Sequence, residues 1–179
     1  MRYFQLIDDI RIPGRWYLGD VKRWRGAAFL HAGDGQTSAG EMPSVEISRR
    51  GRPLEFTMTS FDLPIIGLEL AAVIEKIAGA DVEIKPIMVS NTPGYGILKV
   101  RRVLDCLDES RSVYSKITCN DQHALRYRPV TKLYLDRERV PEGMHIFNVN
   151  DGSGALVVSE LLRDAMQIAG CFGAKFVEV

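Results

Sequence analysis

The 179-residue sequence carries no excess of either charge, with 23 Lys and Arg balancing 23 Asp and Glu. Bulk charge therefore gives no support to a nucleic acid or an anionic membrane surface as partner. No apolar run approaches the length of a bilayer span. Met1–Ile10 lacks the basic start and unbroken apolar centre of a signal peptide, because Gln5, Asp8 and Asp9 interrupt it. Cysteine is scarce: Cys106, Cys119 and Cys171 form neither an even set nor a CxxC pair. That excludes a disulfide framework and points to reduced thiols in a cytoplasmic protein. The three histidines, His31, His123 and His145, make no HxxxH or Glu-x-x-His spacing. Gly33-Asp34-Gly35 has neither a Walker lysine nor a third dinucleotide glycine, and no GxSxG occurs. These absences lead to the expectation of no catalytic residue, no metal and no cofactor, hence a protein that is not an enzyme.

What is present is a pattern of short alternating segments with two helices. Tyr3, Phe4, Leu6 and Ile7 open the first strand, and Arg15–Val21 forms a second, interrupted by Gly19. Val45 and Ile47, then Leu54, Phe56 and Met58, alternate with polar neighbours. Pro64–Ala78 reads as the longer helix, with Pro64 in the first turn and Ile66, Leu70, Val73, Ile74 and Ile77 as its apolar stripe. Strands follow at Val82–Val89, where Pro86 predicts an edge or a bulge, and at Tyr95–Leu107, where Arg102 predicts a bulge or an end. Asn91–Gly94 is the turn between them. Val113–Ile117, Val130–Leu135 and Met144–Val149 are further strands.

The last residues, Val158–Val179, read as a helix, a glycine stop and a closing strand. Ser159 is the expected N-cap and Gly170 the expected left-handed stop. Leu161, Leu162, Ala165, Ile168 and Ala169 make the stripe expected to face the core, leaving the Leu161/Ala165/Ile168 face unavailable to a partner. Phe176, Val177 and Val179 predict a docked C-terminus, with Phe176 buried. The strands do not alternate with helices, so the fold class is α+β: a single domain over residues 1–179, with a mainly antiparallel or mixed sheet and two principal helices.

Two aromatic–basic clusters carry the binding candidates. Arg15-Trp16-Tyr17 and Arg23-Trp24-Arg25 combine residue types that stack on bases, pair with phosphates, or anchor protein interfaces. For Trp16 burial in the core is as good a reading. Trp24 has a cation on each side, so Arg23, Trp24 and Arg25 are the predicted partner-binding residues, with the loops Ala32–Gly40 and Asp108–Arg128 extending the surface. The carboxylates Asp8-Asp9 and Asp105, Asp108 and Glu109 read as solvated charge in turns and strand ends. Two alternatives stand beside a binding function: a small enzyme with its site assembled from dispersed Arg, Asp and His, and a nucleic-acid module built on Arg15-Trp16 and Arg23-Trp24-Arg25.

Three pieces in order are Pro13-Gly14-Arg15-Trp16-Tyr17-Leu18-Gly19; Gly51-Arg52-Pro53-Leu54-Glu55-Phe56 followed by Phe61-Asp62-Leu63-Pro64; and Val158-Ser159-Glu160 through Gly173-Ala174-Lys175-Phe176. With them the chain resembles the immunity-protein domain family of bacterial polymorphic toxin systems, first catalogued as a myxobacterial domain of unknown function. The resemblance implies a cytoplasmic protein that binds and neutralises a cognate toxin effector, with an HNH-type nuclease as the first expectation for that toxin. It carries over no catalytic residue, and it implies no membrane, nucleic-acid or cofactor partner.

Overall fold

The computed structural model describes residues 1–22, 24–25, 36–37, 42–60, 62–114, 130–150 and 154–179, with only the backbone described at 24–25, 36–37, 114 and 130. It is an α+β structure of two helices and two principal mixed sheets. The strands in chain order are β1 (Tyr3–Asp8), β2 (Tyr17–Lys22), β3 (Trp24–Arg25), β4 (Gln36–Thr37), β5 (Ser44–Arg49), β6 (Phe56–Met58) and β7 (Pro64–Gly67). Helix α1 (Leu68–Ala78) comes next, followed by β8 (Val82–Val89), β9 (Thr92–Val100), β10 (Val103–Leu104), β11 (Val113–Tyr114), β12 (Val130–Lys132), β13 (Ile146–Val149) and β14 (Leu156–Ser159). Helix α2 (Glu160–Ile168) and β15 (Ala174–Glu178) complete the chain.

One sheet has the order β10-β13-β14-β1-β15 and the other β2-β5-β8-β9-β7-β6. Period-2 burial explains how both faces of these strands are used. Ile66 and Leu98 join Phe4, Leu6, Phe56, Leu156 and Val158 in the core between the sheets and the helices, where Leu70, Ile74, Leu162 and Met166 also pack. Their neighbours Ile65 and Ile97 point the other way, onto Trp16, Leu18, Val45 and Ile87. A third cluster, including Tyr3, Phe147, Val157 and Val179, backs the five-stranded sheet.

Several expectations are corrected. Pro64 does not open α1: Pro64–Gly67 is strand β7, buried throughout, and the helix begins at Leu68. Proline is tolerated there because it is the first residue of its strand. Its partner is Met58, the last residue of the outermost strand β6. Leu70, Ala71, Ile74 and Ala78 are the buried line of α1, with Val73 and Ile77 at its sides. Pro86 behaves as expected of an edge, since β5 meets β8 only at Met88 and Val89 and leaves Pro86 paired with Gly96 alone. The β8–β9 turn is tighter than Asn91–Gly94. Ser90 and Asn91, at φ 44° and 67°, form a two-residue connection of the kind that matches strand twist. At Arg101-Arg102 the chain leaves one sheet, and β10 joins the other in parallel with β13.

Helix α2 is capped as expected: Ser159 Oγ accepts from the Leu162 amide at 3.2 Å. Its orientation differs. Leu162 and Met166 are the buried residues, whereas Leu161 is 55% and Ile168 88% exposed. At 3.6 residues per turn, Leu161 and Ile168 lie roughly 100° and 120° around the axis from Leu162. The rotation has a cause in Arg163, whose guanidinium lies 4.0 Å from the centre of the Phe4 ring and pairs with Glu160 and Asp164. Arg163 thus covers Phe4 of the sheet, and the flank with Leu161 and Ile168 turns outward. At the chain end, β15 pairs with β1 over five residue pairs and Val179 is buried, but Phe176 is only half-buried because β15 is an edge strand.

Candidate functional site

A cleft of about 500 Å³ is lined by strands of both sheets. Leu6, Met58, Pro64, Leu98 and Leu156 give it an apolar floor. Asp8, from the end of β1, and Asp62, from the turn before β7, contribute carboxylates, and Gln5 and Asn148 contribute amides.

Asp8 is held by a network that begins at Arg15. The Arg15 side chain is only 1% exposed. It donates from Nη2 to Asp8 Oδ2 at 2.7 Å and to Thr57 Oγ1 at 2.8 Å, from Nη1 to the Asp9 carbonyl at 2.9 Å, and from Nε to the Trp16 carbonyl at 3.2 Å. Four of the five N–H groups of the guanidinium are thereby used. The approach of the chain that places Arg15 depends on Gly51, where a Cβ would lie 2.3 Å from the Arg15 carbonyl. Asp8 Oδ1 is buried and has no hydrogen-bond partner among the described residues. Asp62 stands at the rim, exposed as a residue, in a left-handed conformation at φ 57° that its amide stabilises by donating to the Thr59 carbonyl. Loss of water on its cleft side, and then the charge of Asp8, hold the Asp62 carboxyl above the usual carboxylate range.

The predicted solvated role of Asp8 is therefore corrected: it is the partner of a buried cation. Arg15 and Trp16 are corrected as nucleic-acid contacts too, since both are buried, Trp16 at 5.4 Å between ring centres from Tyr95. Of the predicted partner-binding residues, Arg23 lies outside the described residues. Trp24 and Arg25 form β3, paired with Thr37 and Gln36 of β4, and their side chains lie outside the described set. The loop Ala32–Gly40, apart from the β4 backbone, and residues 115–129 of the second loop also lie outside it, as do His31, His123 and Cys119. The expectation that the Leu161, Ala165 and Ile168 face of α2 is taken up by the core, the ground for setting it aside as a contact surface, is corrected by the exposure of Leu161 and Ile168.

His145 Nδ1 is 2.9 Å from Ser159 Oγ, a pairing reminiscent of a nucleophile and base, but Ser159 is fully buried and caps α2. Burial pushes the Cys106 thiol up to about 11 and that of Cys171 to about 12, far from the thiolate needed for attack. Among the described residues no group of three or more His, Cys, Asp or Glu is arranged to hold a metal. Among them, too, no helix is long and apolar enough to cross a membrane.

Comparison with protein families matches residues 75–179, more than half the chain, to the immunity protein family Imm11. The chain belongs to that family. A comparison with curated proteins gives no match. The Imm11 segment includes the last of the three sequence pieces that suggested the resemblance and begins after the first two. It contains β8–β15 and α2, yet in the fold it is threaded by the residues before it. Strand β1 lies between β14 and β15, and β7 lies against β9. Asp8, Arg15 and Asp62 all come from that preceding part, whereas Leu98, Asn148 and Leu156 of the cleft come from the Imm11 segment.

Proposed function

We propose that this protein is a cytoplasmic immunity protein, a single domain that binds a cognate toxin effector stoichiometrically and blocks it without itself turning over a substrate. The observation that carries the reading is membership of the Imm11 family. The toxin proposed is a nuclease of the HNH type, on the strength of the family resemblance. Arg23, Trp24 and Arg25 remain the proposed contact residues, because an aromatic flanked by arginines is the composition that anchors interfaces. A specific interface takes about 20–30 residues on each side, so these three must be joined by others. The outward flank of α2, with Leu161 and Ile168, is now available for that role.

The test is protection in cells. Expression of the toxin encoded beside this gene should stop growth, and coexpression of this protein should restore it. Trp24→Ala and Arg25→Ala, each shown to be folded, should weaken toxin binding by roughly thirtyfold or more if they are hot spots, the equivalent of about 2 kcal/mol. Full growth arrest despite soluble, folded protein would reject the immunity reading.

A further inference from the structure

The end of β5 and the turn after it carry three arginines in four residues, Arg49-Arg50-Gly51-Arg52, and all three are exposed. Most of the other described arginines have a carboxylate partner, from Arg2 with Glu160 to Arg163 with Asp164. These three have none among the described residues. They are nevertheless held in place. The Arg49 guanidinium carbon lies 5.8 Å from the centre of the ring of Tyr17, its partner in the β2–β5 ladder, and that of Arg52 lies 4.2 Å from the centre of the Phe172 ring. The backbone beneath is pinned as well: the Arg52 amide donates to the Gly14 carbonyl at 2.7 Å, and its carbonyl accepts from the Trp16 amide at 3.1 Å. A guanidinium held over a ring keeps the N–H groups of its edge for another acceptor. The ring also restricts the stem, so less side-chain freedom is lost when that edge is used. The turn is therefore a pre-set cationic surface whose complement is an anion. Carboxylate and phosphate both fit the fork of donors. Outside this turn, however, acidic residues outnumber basic ones, so the rest of the chain adds no net attraction for a polyphosphate backbone. Membership of an immunity-protein family favours a protein partner. We propose that the Arg49–Arg52 turn is a contact site for an acidic segment of the toxin, whose aspartate or glutamate carboxylates take the free edges of Arg49, Arg50 and Arg52. The inference rests on the immunity reading and adds to it the charge of the toxin surface that meets this turn.

Two experiments test it. In the first, the isotopically labelled protein is titrated with capped hexaglutamate, with capped hexaglutamine and hexathymidylate as controls, and the arginine Nε–H resonances are followed by NMR. Hexaglutamate should shift Arg49, Arg50 and Arg52 at low salt, and the shifts should shrink as salt is raised. Hexaglutamine should shift none of them. Shifts spread evenly over all exposed arginines overturn the proposal. Larger shifts of these three with hexathymidylate overturn it in favour of a nucleic acid. In the second, Arg49→Gln/Arg50→Gln/Arg52→Gln is compared with the parent for toxin binding over a range of salt, with urea unfolding as the check on folding. The triple variant should bind about tenfold more weakly at low salt, as expected for three exposed charge pairs, and less steeply with salt than the parent. Arg50→Gln loses no described ring contact, so it should keep the parent's stability and bind about threefold more weakly. This single variant decides the matter if the triple variant does not fold. If the parent binds and the folded variants bind equally well with the same salt dependence, the turn is not a contact and the immunity reading stands. If the parent does not bind, the immunity reading fails and this proposal fails with it.

Discussion

Replacing Arg15 by methionine tests whether the cleft is built on a buried ion pair. Methionine keeps most of the apolar stem and removes the guanidinium, with its bonds to Asp8, Thr57 and the carbonyls of Asp9 and Trp16. The lost partner leaves the Asp8 carboxylate, 15% exposed, without its cation. Removing one member of a buried pair costs about 3–5 kcal/mol, mostly because the remaining charge stays away from water. Against a net stability of about 5–15 kcal/mol that is a large share. Urea unfolding of Arg15→Met should therefore show a midpoint far below the parent at pH 7. The double variant Asp8→Asn/Arg15→Met removes the stranded charge and should recover part of the deficit, giving a coupling within about 0.5–3 kcal/mol. A loss below about 1 kcal/mol for Arg15→Met, or strict additivity in the cycle, would refute the reasoning.

Other expectations follow from the same structure. Deleting Gly173–Val179 removes the five β15 pairings with β1 and the buried Val179, so the truncated chain should fail to show the parent's cooperative melting transition by circular dichroism. Ser159→Ala removes the α2 cap and should cost about 0.5–2 kcal/mol in denaturant unfolding. Asp62 is held above its usual range, so its carboxyl favours folding when protonated, and that contribution is lost as pH rises through its folded-state value. Asp62→Asn should thus gain stability over the parent at pH 7, and this pH-dependent part should vanish below about pH 4. In a Cys119→Ser background, Cys106 and Cys171 should react with a disulfide reagent at pH 7.5 only on unfolding, because both thiols stay protonated.

Much of the fold was legible because its signals are local. Ser159 capped the helix it precedes, alternation marked β5 and β6, and Pro86 found the part of β8 without a β5 neighbour. The misreadings arose where a distant partner decided. Pro64 suits a helix start by its own geometry, but pairing with Met58 and the ladder from Ile65 to Ile97 make its segment a strand. The turn of α2 was set by Arg163 meeting Phe4, an interaction between chain ends that periodicity does not contain. The cleft was less legible still. Asp8-Asp9 was visible as a carboxylate pair and Arg15 as a candidate binder. Their joining with Thr57 and Asp62, some fifty residues on, comes only from the crossing of two sheets.

The most direct measurement is native mass spectrometry of the purified protein mixed with the toxin encoded beside it, accompanied by a toxin activity assay. The account predicts a stoichiometric complex and toxin activity falling in step with its formation, with no chemical change in either chain. Intact toxin activity in the presence of excess folded protein, or loss of activity under substoichiometric protein with a covalently altered toxin, would contradict it.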